Sequence, residues 1–472
     1  MDLDYFAERW RKTGISALHV AGWHYWESDA ENDNYLRKLI EACHRKGILV
    51  YVWLELPHVS EKFWTQHPEW REKTAIQQDA QLDWRKLINL TNRASFAEVS
   101  RGVNDLMGRF DWDGVNLAEL YFESLEGASN PARFTPMNED VRDQFKQLRG
   151  FDPLELFGAG KPGPSKLRAF LDYRADLTRR QQEEWIGQIE SIRKSKPNLD
   201  LVLTHVDDRF DPRMRDLIGA DAERVLPLLD KHDFTFLIED PATIWNLGPE
   251  RYPQIASRYQ PLTEHAGKLA IDINVVERYQ DVYPTKQQTG TELFQLVHVA
   301  AHVFPQVALY FENSILSPDL PLLASAAATV DKAAQEGPRL TVDSRYGVGI
   351  AWQGPALVNG HVWPVRDEAT LWLPAGSNVI EPAQKDPALR ILDFNGNLLS
   401  ADASASGLRI SYQSNARAIA VVNSRPRKID VDGTGYDEKL LNSGANFTIT
   451  LPRGQHIVEL DLAPPHVTAS SR

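Results

Sequence analysis

Along the first 335 residues, short apolar runs alternate with segments in which apolar residues recur at helical spacing. This alternation limits the folds that the chain can adopt. The run at residues 48–54 is apolar almost throughout, as in strands that are buried on both faces of a parallel sheet. We interpret eight runs as strands, at residues 15–21, 48–54, 86–90, 113–123, 199–204, 234–238, 268–274 and 307–311, with a last helix at 320–335. Eight strand-and-helix units in succession predict an α/β protein, a (β/α)8 barrel of the TIM type.

The sequence pattern changes near residue 344. From there, short segments of alternating polarity, such as residues 408–412, are separated by turn signals such as Asn395-Gly396. This pattern is typical of an all-β domain built as a sandwich. We therefore expect two domains, the barrel at residues 1–340 and a C-terminal β-sandwich domain at residues 341–472.

Composition argues against several classes of protein. Apolar residues make up 42% and charged residues 25% of the chain, and no apolar run is long enough for a membrane span, so we expect a globular protein. The net charge of -13 and the lack of Lys and Arg clusters argue against nucleic acid as a partner. The single cysteine, Cys43, follows a helical pattern, which predicts core packing and no internal disulfide.

The N-terminal residues carry mixed charge and lack the apolar stretch of a signal peptide. A mature fragment cut from an exported precursor would begin in the same way. The location is therefore open, with a periplasmic or secreted protein expected if the chain is such a fragment. The oligomeric state is open as well.

Carboxylates and aromatic rings follow the predicted strands at the ends where a barrel carries its active site. Glu119 is notable, because a buried charge without a partner is costly and an apolar strand does not need one to fold. We predict that Glu119 and Glu239 are the catalytic residues. The predicted substrate-binding residues at the same end of the barrel are Trp23, His24, Glu55, Asn89, Tyr121, His205, Asp207, Asp208, Asp240, Trp245, Asp272, Asn274 and Glu312.

These residue types fit the hydrolysis of carbohydrate. Flat sugar faces stack on aromatic rings, and the chain has 13 Trp and 14 Tyr, several of them beside acids. Glycosidic cleavage needs an acid that protonates the leaving oxygen and a carboxylate that attacks or activates water, roughly 5 to 5.5 Å apart for retention or about 6.5 to 9.5 Å apart for inversion. Crowded acids raise the pKa of at least one of them. We expect Glu239 or Asp240 to be the acid and Glu119 the nucleophile or base; the reverse assignment and the stereochemical outcome stay open.

Two other interpretations of these residues compete with the first. Glu119 could simply form an ion pair with a neighbouring Arg or Lys, as structural carboxylates do. His205-Val206-Asp207, together with Asp272, could bind a divalent metal ion in a lyase or isomerase. No compact His and Asp spacing supports a metal site, so we expect neither a metal ion nor a cofactor.

Several motifs together resemble one group of proteins. YVWLE at residues 51–55, HPEW at 67–70, NL at 89–90 and WDGVNLAELYF at 112–122 are similar to the bacterial glycoside-hydrolase-like barrels. Among these, they resemble hypothetical glycosidases whose fourth strand reads Asp-Gly-aliphatic-His-hydrophobic-acid-acid-Tyr. The resemblance extends over roughly residues 1–200. It implies a carbohydrate-active barrel, often with accessory β domains.

This chain departs from the group's pattern at one position of the fourth strand. The group's second acid falls on Glu119, but its first acid falls on Ala118. We favour a glycoside hydrolase that acts on a polysaccharide or oligosaccharide. The alternative is a catalytically inactive glycan-binding barrel of a polysaccharide synthesis or export system, and a carbohydrate is the expected partner in both cases.

Overall fold

Seven parallel strands form the central sheet, and they follow one another across it in chain order. The structure is a computed structural model that describes residues 2–124, 126–158, 163–277, 286–404, 406–437 and 440–462. The strands are β1 (Ala17–Ala21), β2 (Leu49–Leu54), β3 (Gly114–Leu117), β4 (Asp200–Val206), β5 (Thr235–Glu239), β6 (Leu269–Asn274) and β7 (Val307–Tyr310). With helices outside this sheet and an all-β region after it, the predicted α/β fold of the TIM-barrel type is confirmed.

The predicted third strand at residues 86–90 is wrong, because this segment lies outside the central sheet. It belongs to a long excursion, residues 55–92, in which Gln81–Leu82 pairs with Arg85–Lys86 in a small hairpin. β3 instead pairs directly with β2, with Gly114 opposite Tyr51. A Cβ atom at residue 114 would lie 2.1 Å from the Tyr51 ring, so this close pairing requires glycine.

Helices surround the strands and bury one apolar face each. They are α1 (Leu3–Lys12), α2 (Ala30–Arg45), α3 (Glu61–Gln66), α4 (Arg93–Arg109), α5 (Glu139–Arg149), α6 (Pro164–Arg193), α7 (Arg213–Ile218), α8 (Ala222–Val225), α9 (Arg251–Tyr259), α10 (Gly290–Val303) and α11 (Leu320–Ala326). In α2, the carboxylate of Asp29 caps the first turn by accepting hydrogen bonds from two backbone N–H groups, and Leu36 and Ile40 pack into the main core. Within the described chain, none of these helices has the length and apolar character needed to cross a bilayer.

The predicted last helix is correct only in its first half. α11 ends at Ala326, and Val330–Glu336 forms a strand that pairs with Arg339–Ser344. The alanines of this segment favour a helix, but pairing with a neighbouring strand overrides that weak preference. Residue 340 therefore lies inside a hairpin, and the division into two domains at this residue stays a prediction.

The C-terminal region is built from antiparallel strands in sheets of five, two, four and five strands among the described residues. After the hairpin at its start, the strands are Val348–Ala351, Ala356–Val358, His361–Val362, Thr370–Leu373, Gly376–Pro382, Ile391–Phe394, Asn397–Ala403, Gly407–Ser414, Ala418–Val422, Lys428–Val431, Thr434–Gly435, Leu441–Ser443, Asn446–Leu451 and Gly454–Asp461. Their apolar faces share one core that includes Ile380, Tyr412 and Val458.

This β region packs against the end of the barrel where the strands begin. Ala416 and Ile419 join the inward-facing residues Leu49 and Val202 in one apolar cluster. Arg417 forms ion pairs of 2.6 Å with both Asp111 and Asp113, just before β3. The β region therefore covers the opposite end of the barrel from the one where the strands deliver the predicted site residues.

Candidate active site

Inward-facing side chains at the C-terminal ends of the strands enclose a cavity of about 150 Å³. Alternate residues of a strand face the same side, and this places Trp53, Thr204 and Tyr310 in the cavity wall together with the acids. The residues that line the cavity are Trp53, Glu119, Thr204, Glu239, Ala242, Asp272, Asn274, Val276, Glu277 and Tyr310. Four of the predicted site residues, Glu119, Glu239, Asp272 and Asn274, are thus brought together.

Glu119 reaches the cavity through an unusual backbone conformation just after β3. Its φ of +52° lies in the left-handed region, which side chains other than glycine rarely adopt. Such conformations cost roughly 1–3 kcal/mol and are found most often at functional sites. Ala118, which takes the place of the group's first acid, is fully buried, so the strand presents its carboxylate to the cavity at residue 119.

Arg85 forms an ion pair with Glu119. Its Nη1 lies 3.1 Å from Glu119 Oε2, and the same guanidinium pairs with Glu123. Burial raises the pKa of Glu119, the Arg85 charge opposes this rise, and Glu123 adds to it. The ion pair considered as an alternative for Glu119 is therefore present, but it lies at the wall of a cavity that contains other acids.

Glu239 and Asp272 have environments that favour their protonated forms. Burial, followed by the nearby Glu119 and Asp272 charges, raises the pKa of Glu239 to about 8, although the Asn274 amide donates a 3.3 Å hydrogen bond to it. Burial and the Asp240 charge raise the pKa of Asp272 to about 7. Within the described chain, the buried Asp272 Oδ1 accepts no hydrogen bond. The cavity can therefore hold protonated acids beside the ion-paired Glu119 at neutral pH.

Three further predicted residues lie against this acid cluster. Glu55 follows β2 and is buried; burial and the Glu119 charge raise its pKa to about 8, while the Arg85 charge and the nearby Trp23 side chain oppose this rise. Burial and the charge of Glu119 also raise the pKa of Tyr121 well above its ordinary value. Trp23 is partly exposed, and its ring stacks on the exposed His24 at 3.8 Å.

The predicted site residues in the last part of β4 and directly after it face away from the cavity, which contradicts this part of the prediction. His205 points to the helix layer because it is the neighbour of the inward-facing Thr204. Its Nε2 lies 3.1 Å from Asp208 Oδ1. Asp207 is fully buried and accepts a 2.9 Å hydrogen bond from the Tyr259 hydroxyl. These polar groups stabilise the loop after the strand and do not line the cavity.

Asp240 and Trp245 are also occupied by structural contacts outside the cavity lining. Asp240 is fully buried and accepts hydrogen bonds from the Arg251 guanidinium, the shortest being 2.7 Å, and from the Tyr252 hydroxyl at 3.1 Å. It is therefore not placed as the proton donor that Glu239 or Asp240 was expected to provide. Trp245 is buried, with the Lys286 ammonium 5.2 Å from its ring centre.

Asn89 and Glu312 are likewise turned to other partners. The Asn89 amide donates to the Asp140 carboxylate at 2.9 Å, which connects the excursion to α5. Glu312 is exposed and accepts a 3.0 Å hydrogen bond from the Trp10 indole, outside the cavity lining. Asn89 lies near the end of the predicted strand at 86–90 and Glu312 follows the one at 307–311, but position alone does not decide which way such a side chain points.

Several site residues were missed by sequence reasoning. Trp53 and Tyr310 meet edge to face at 5.0 Å. Trp53 lies two residues before Glu55, and Thr204 lies two residues before the end of β4. The period of two along a strand could have identified them. Nothing in the sequence identified Arg85, because it lies in a hairpin far along the chain from both of its carboxylate partners.

The described residues contain no group of three or more His, Cys, Asp and Glu side chains arranged to hold a metal ion. The metal site considered for His205, Asp207 and Asp272 is not assembled, since His205 and Asp207 face the helices and Asp272 faces the cavity. The expectation that the protein uses neither a metal ion nor a cofactor stays a prediction.

Comparisons with known proteins give information on the fold of this chain. No family model matches the sequence, and a search of curated proteins gives no significant match. Among solved structures, the chain is similar to the polyextremophilic β-galactosidase of the Antarctic haloarchaeon Halorubrum lacusprofundi, with a TM-score of 0.51 and 13% identity over 71% of this chain and 57% of that one. It is also similar to the β-galactosidase of the psychrophilic Marinomonas ef1, with a TM-score of 0.47 and 13% identity over 65% of this chain and 51% of that one.

A third similar structure is an Anoxybacillus α-amylase, with a TM-score of 0.36 and 11% identity over 81% of this chain and 90% of that one. The chain spans only about half the length of the two β-galactosidases. The match to the haloarchaeal enzyme supports the shared barrel fold.

Proposed function

We propose that the protein is a glycoside hydrolase that cleaves a polysaccharide or oligosaccharide with Glu119 and Glu239. One observation supports this proposal. Glu119, whose carboxylate pairs with Arg85, and Glu239, whose pKa is raised to about 8, line the same cavity. Glycosidic cleavage requires this combination of one ionised and one protonated acid. The proposal rests on the site, since one fold hosts many functions.

Their environments assign different roles to the two acids. Glu239 is protonated at neutral pH and donates its proton to the glycosidic oxygen, so that the C–O bond breaks and the leaving sugar departs as an alcohol. Glu119 is the acid that faces a positive charge, and it acts as the anion on the anomeric carbon or as the base for water. In the retaining case Glu239 then takes a proton from water, whose oxygen bonds to the anomeric carbon while the bond to Glu119 breaks. In the inverting case water attacks the anomeric carbon directly, Glu119 takes its proton, and Glu239 regains a proton from the solvent.

The remaining groups of the cavity suit the binding of one sugar ring. Asp272 offers a buried acceptor atom without a hydrogen-bond partner in the described chain, and sugar hydroxyls can donate to it. Trp53 and Tyr310 present aromatic surface to the same space. A volume of about 150 Å³ lies below that of pockets for drug-sized ligands, which are roughly 300 Å³ or more, so a single ring fits the space better than a chain.

The second candidate is an inactive glycan-binding barrel of a polysaccharide synthesis or export system. It is favoured by Ala118 in place of an acid and by the ion pair that already occupies Glu119. Both candidates require a sugar in the cavity, but only the hydrolase requires Glu239 to give up a proton. Cleavage therefore separates them.

The experiment is a screen of oligosaccharides and polysaccharides for released reducing ends. We expect the wild-type protein to cleave at least one of them and Glu239→Gln to lose that activity. Glu312→Gln is the matched control, because Glu312 lies after β7 but binds Trp10 outside the cavity lining. Binding of a glycan without cleavage by the wild-type protein would instead favour the inactive barrel.

A further inference from the structure

Four aromatic side chains cluster beside the cavity, after β1 and in the excursion that follows β2. The Trp23 ring lies 3.8 Å from His24, 5.6 Å from His58 and 6.0 Å from Trp84, measured between ring centres. Trp84 in turn meets His58 edge to face at 4.9 Å. Trp23 and Trp84 are both partly exposed, so they do not serve only to fill the core. Partly exposed aromatic clusters commonly mark binding surfaces.

The excursion hairpin holds Trp84 in place. Trp84 follows Asp83 in the turn between Gln81–Leu82 and Arg85–Lys86. Asp83 has a φ of +57°, and its carboxylate accepts hydrogen bonds of 2.7 and 3.1 Å from the Arg133 guanidinium. The turn is therefore anchored to a second segment of the chain, which limits the positions that the Trp84 ring can take.

The same hairpin connects this cluster to the acids. Arg85, directly after Trp84, is buried and forms the 3.1 Å ion pair with Glu119. Trp23 also lies near Glu55, an acid whose pKa is raised by the charge of Glu119. Arg85 thus connects the aromatic cluster to Glu119 in the cavity wall.

His58 adds a neutral polar group to this surface. Its Nδ1 accepts a 2.8 Å hydrogen bond from the Lys86 backbone N–H, so the ring proton is on Nε2. Burial, followed by the Arg85 charge, lowers the pKa of His58 to about 4. The ring is therefore uncharged at neutral pH, as suits a surface for an uncharged ligand.

We propose that Trp23 and Trp84 form a second sugar-binding subsite, which holds the pyranose ring on the far side of the bond to be cleaved. This inference rests on the proposed function, because that function places the first ring in the cavity beside Glu119 and Glu239. The apolar C–H face of a pyranose stacks on the indole rings, and a substrate of at least two rings spans the cavity and the subsite. The aromatic rings select for a flat ring face and do not require charge.

The test compares the binding of one-ring and two-ring sugars. Glu239→Gln, which cannot donate the proton, serves as the background, and calorimetry measures the affinity for methyl glycosides and the matching disaccharides of glucose, galactose and mannose. We expect a second ring to increase affinity by about tenfold, as one aromatic stacking contact can provide. Adding Trp84→Ala should remove this gain, and adding Trp84→Phe should keep most of it.

Trp352→Ala in the C-terminal region is the matched control, since Trp352 is also partly exposed but packs against the β core. It should leave the gain unchanged. A gain that persists in Trp84→Ala, or no gain from the second ring, would overturn the subsite. If the wild-type protein cleaves nothing but the Trp84-dependent gain is present, the hydrolase proposal fails and the subsite stands. If no sugar in the panel binds, both proposals are wrong.

Discussion

Arg85 supplies the positive charge that faces Glu119, so the pH dependence of cleavage should depend on it. Because Arg85 lowers the pKa of Glu119, Arg85→Met raises that pKa. In the proposed mechanism Glu119 acts as an anion, and this form is lost below its pKa. The acidic limb of the kcat/KM profile should therefore move to higher pH, with a loss of about tenfold or more on the acidic side.

Arg85→Lys keeps a positive charge and should restore part of the activity at low pH. Arg142→Met is the control, because Arg142 pairs with Asp152 through a 3.0 Å hydrogen bond outside the cavity lining. An acidic limb that stays in place in Arg85→Met would contradict the role of Glu119 as the anion.

Glu239 should determine the basic limb of the same profile. A proton donor is active below its pKa, and burial with the Glu119 charge raises the pKa of Glu239 to about 8. We therefore expect kcat/KM to fall as the pH rises through about 8. Glu239→Gln should lower kcat by about 10²- to 10⁴-fold and remove this limb from the residual activity.

Glu55 provides the comparison for this experiment, because its pKa is also raised to about 8. Glu55→Gln should keep the basic limb, since Glu55 lies beside the cavity and gives no proton to the glycosidic oxygen. A basic limb that disappears in Glu55→Gln and persists in Glu239→Gln would reverse the assignment.

Among the strands, those with long apolar runs could be predicted from the sequence, and those with short, weakly apolar runs could not. β2 and β4 are buried on both faces, so their sequences are apolar and their positions could be read directly. The run at 86–90 is short, and its backbone pairs within the excursion, which no local pattern indicates. The order of seven strands followed from the sequence, but the number of strands in the sheet did not.

The position of a residue relative to its strand explains which site residues could be predicted. A residue directly after an apolar run is easily found, and Glu119 and Glu239 were found in this way. Whether such a residue faces the cavity or the helices depends on the exact register of the strand. For this reason Asp272 faces the cavity, whereas His205 faces the helices. Arg85 required the tertiary structure, because it comes from a loop.

The close pairing of β2 and β3 leads to a prediction for Gly114. Gly114→Ala places a Cβ 2.1 Å from the Tyr51 ring, whose hydroxyl donates a 2.9 Å hydrogen bond to Asp200. We expect a loss of about 1–3 kcal/mol in the free energy of unfolding, measured by chemical denaturation. Gly108→Ala, an exposed α4 position with no atom within 4 Å of the new Cβ, should be neutral or stabilising. Equal effects of the two changes would contradict this packing.

The β region covers one end of the barrel and leaves the acid-lined end uncovered. Ile419 packs among residues such as Leu49 and Val202 that would otherwise be exposed at the bottom of the barrel. The β region therefore contributes to stability, and the proposed sugar site lies at the opposite end. Sequence reasoning predicted the β region but not the face of the barrel against which it packs.

The ion pair between Arg417 and the fully buried Asp113 tests this contact. Arg417→Ala leaves the Asp113 carboxylate without this cation, and we expect a loss of about 2–4 kcal/mol in the free energy of unfolding. Arg409→Ala, which removes an exposed arginine 3.6 Å from Glu459, should change it by less than about 1 kcal/mol. If Arg417→Ala has no larger effect than Arg409→Ala, this contact does not hold the two parts together.

The position of a bound sugar shows whether Glu119 and Glu239 act on the glycosidic bond. The measurement is a crystal structure of Glu239→Gln with an oligosaccharide that the wild-type protein cleaves. We expect one ring in the cavity, with the glycosidic oxygen about 2.6–3.2 Å from the side chain of residue 239 and the anomeric carbon facing Glu119. A sugar bound outside the cavity, or one whose glycosidic oxygen is beyond the reach of residue 239, would contradict the catalytic roles of Glu119 and Glu239.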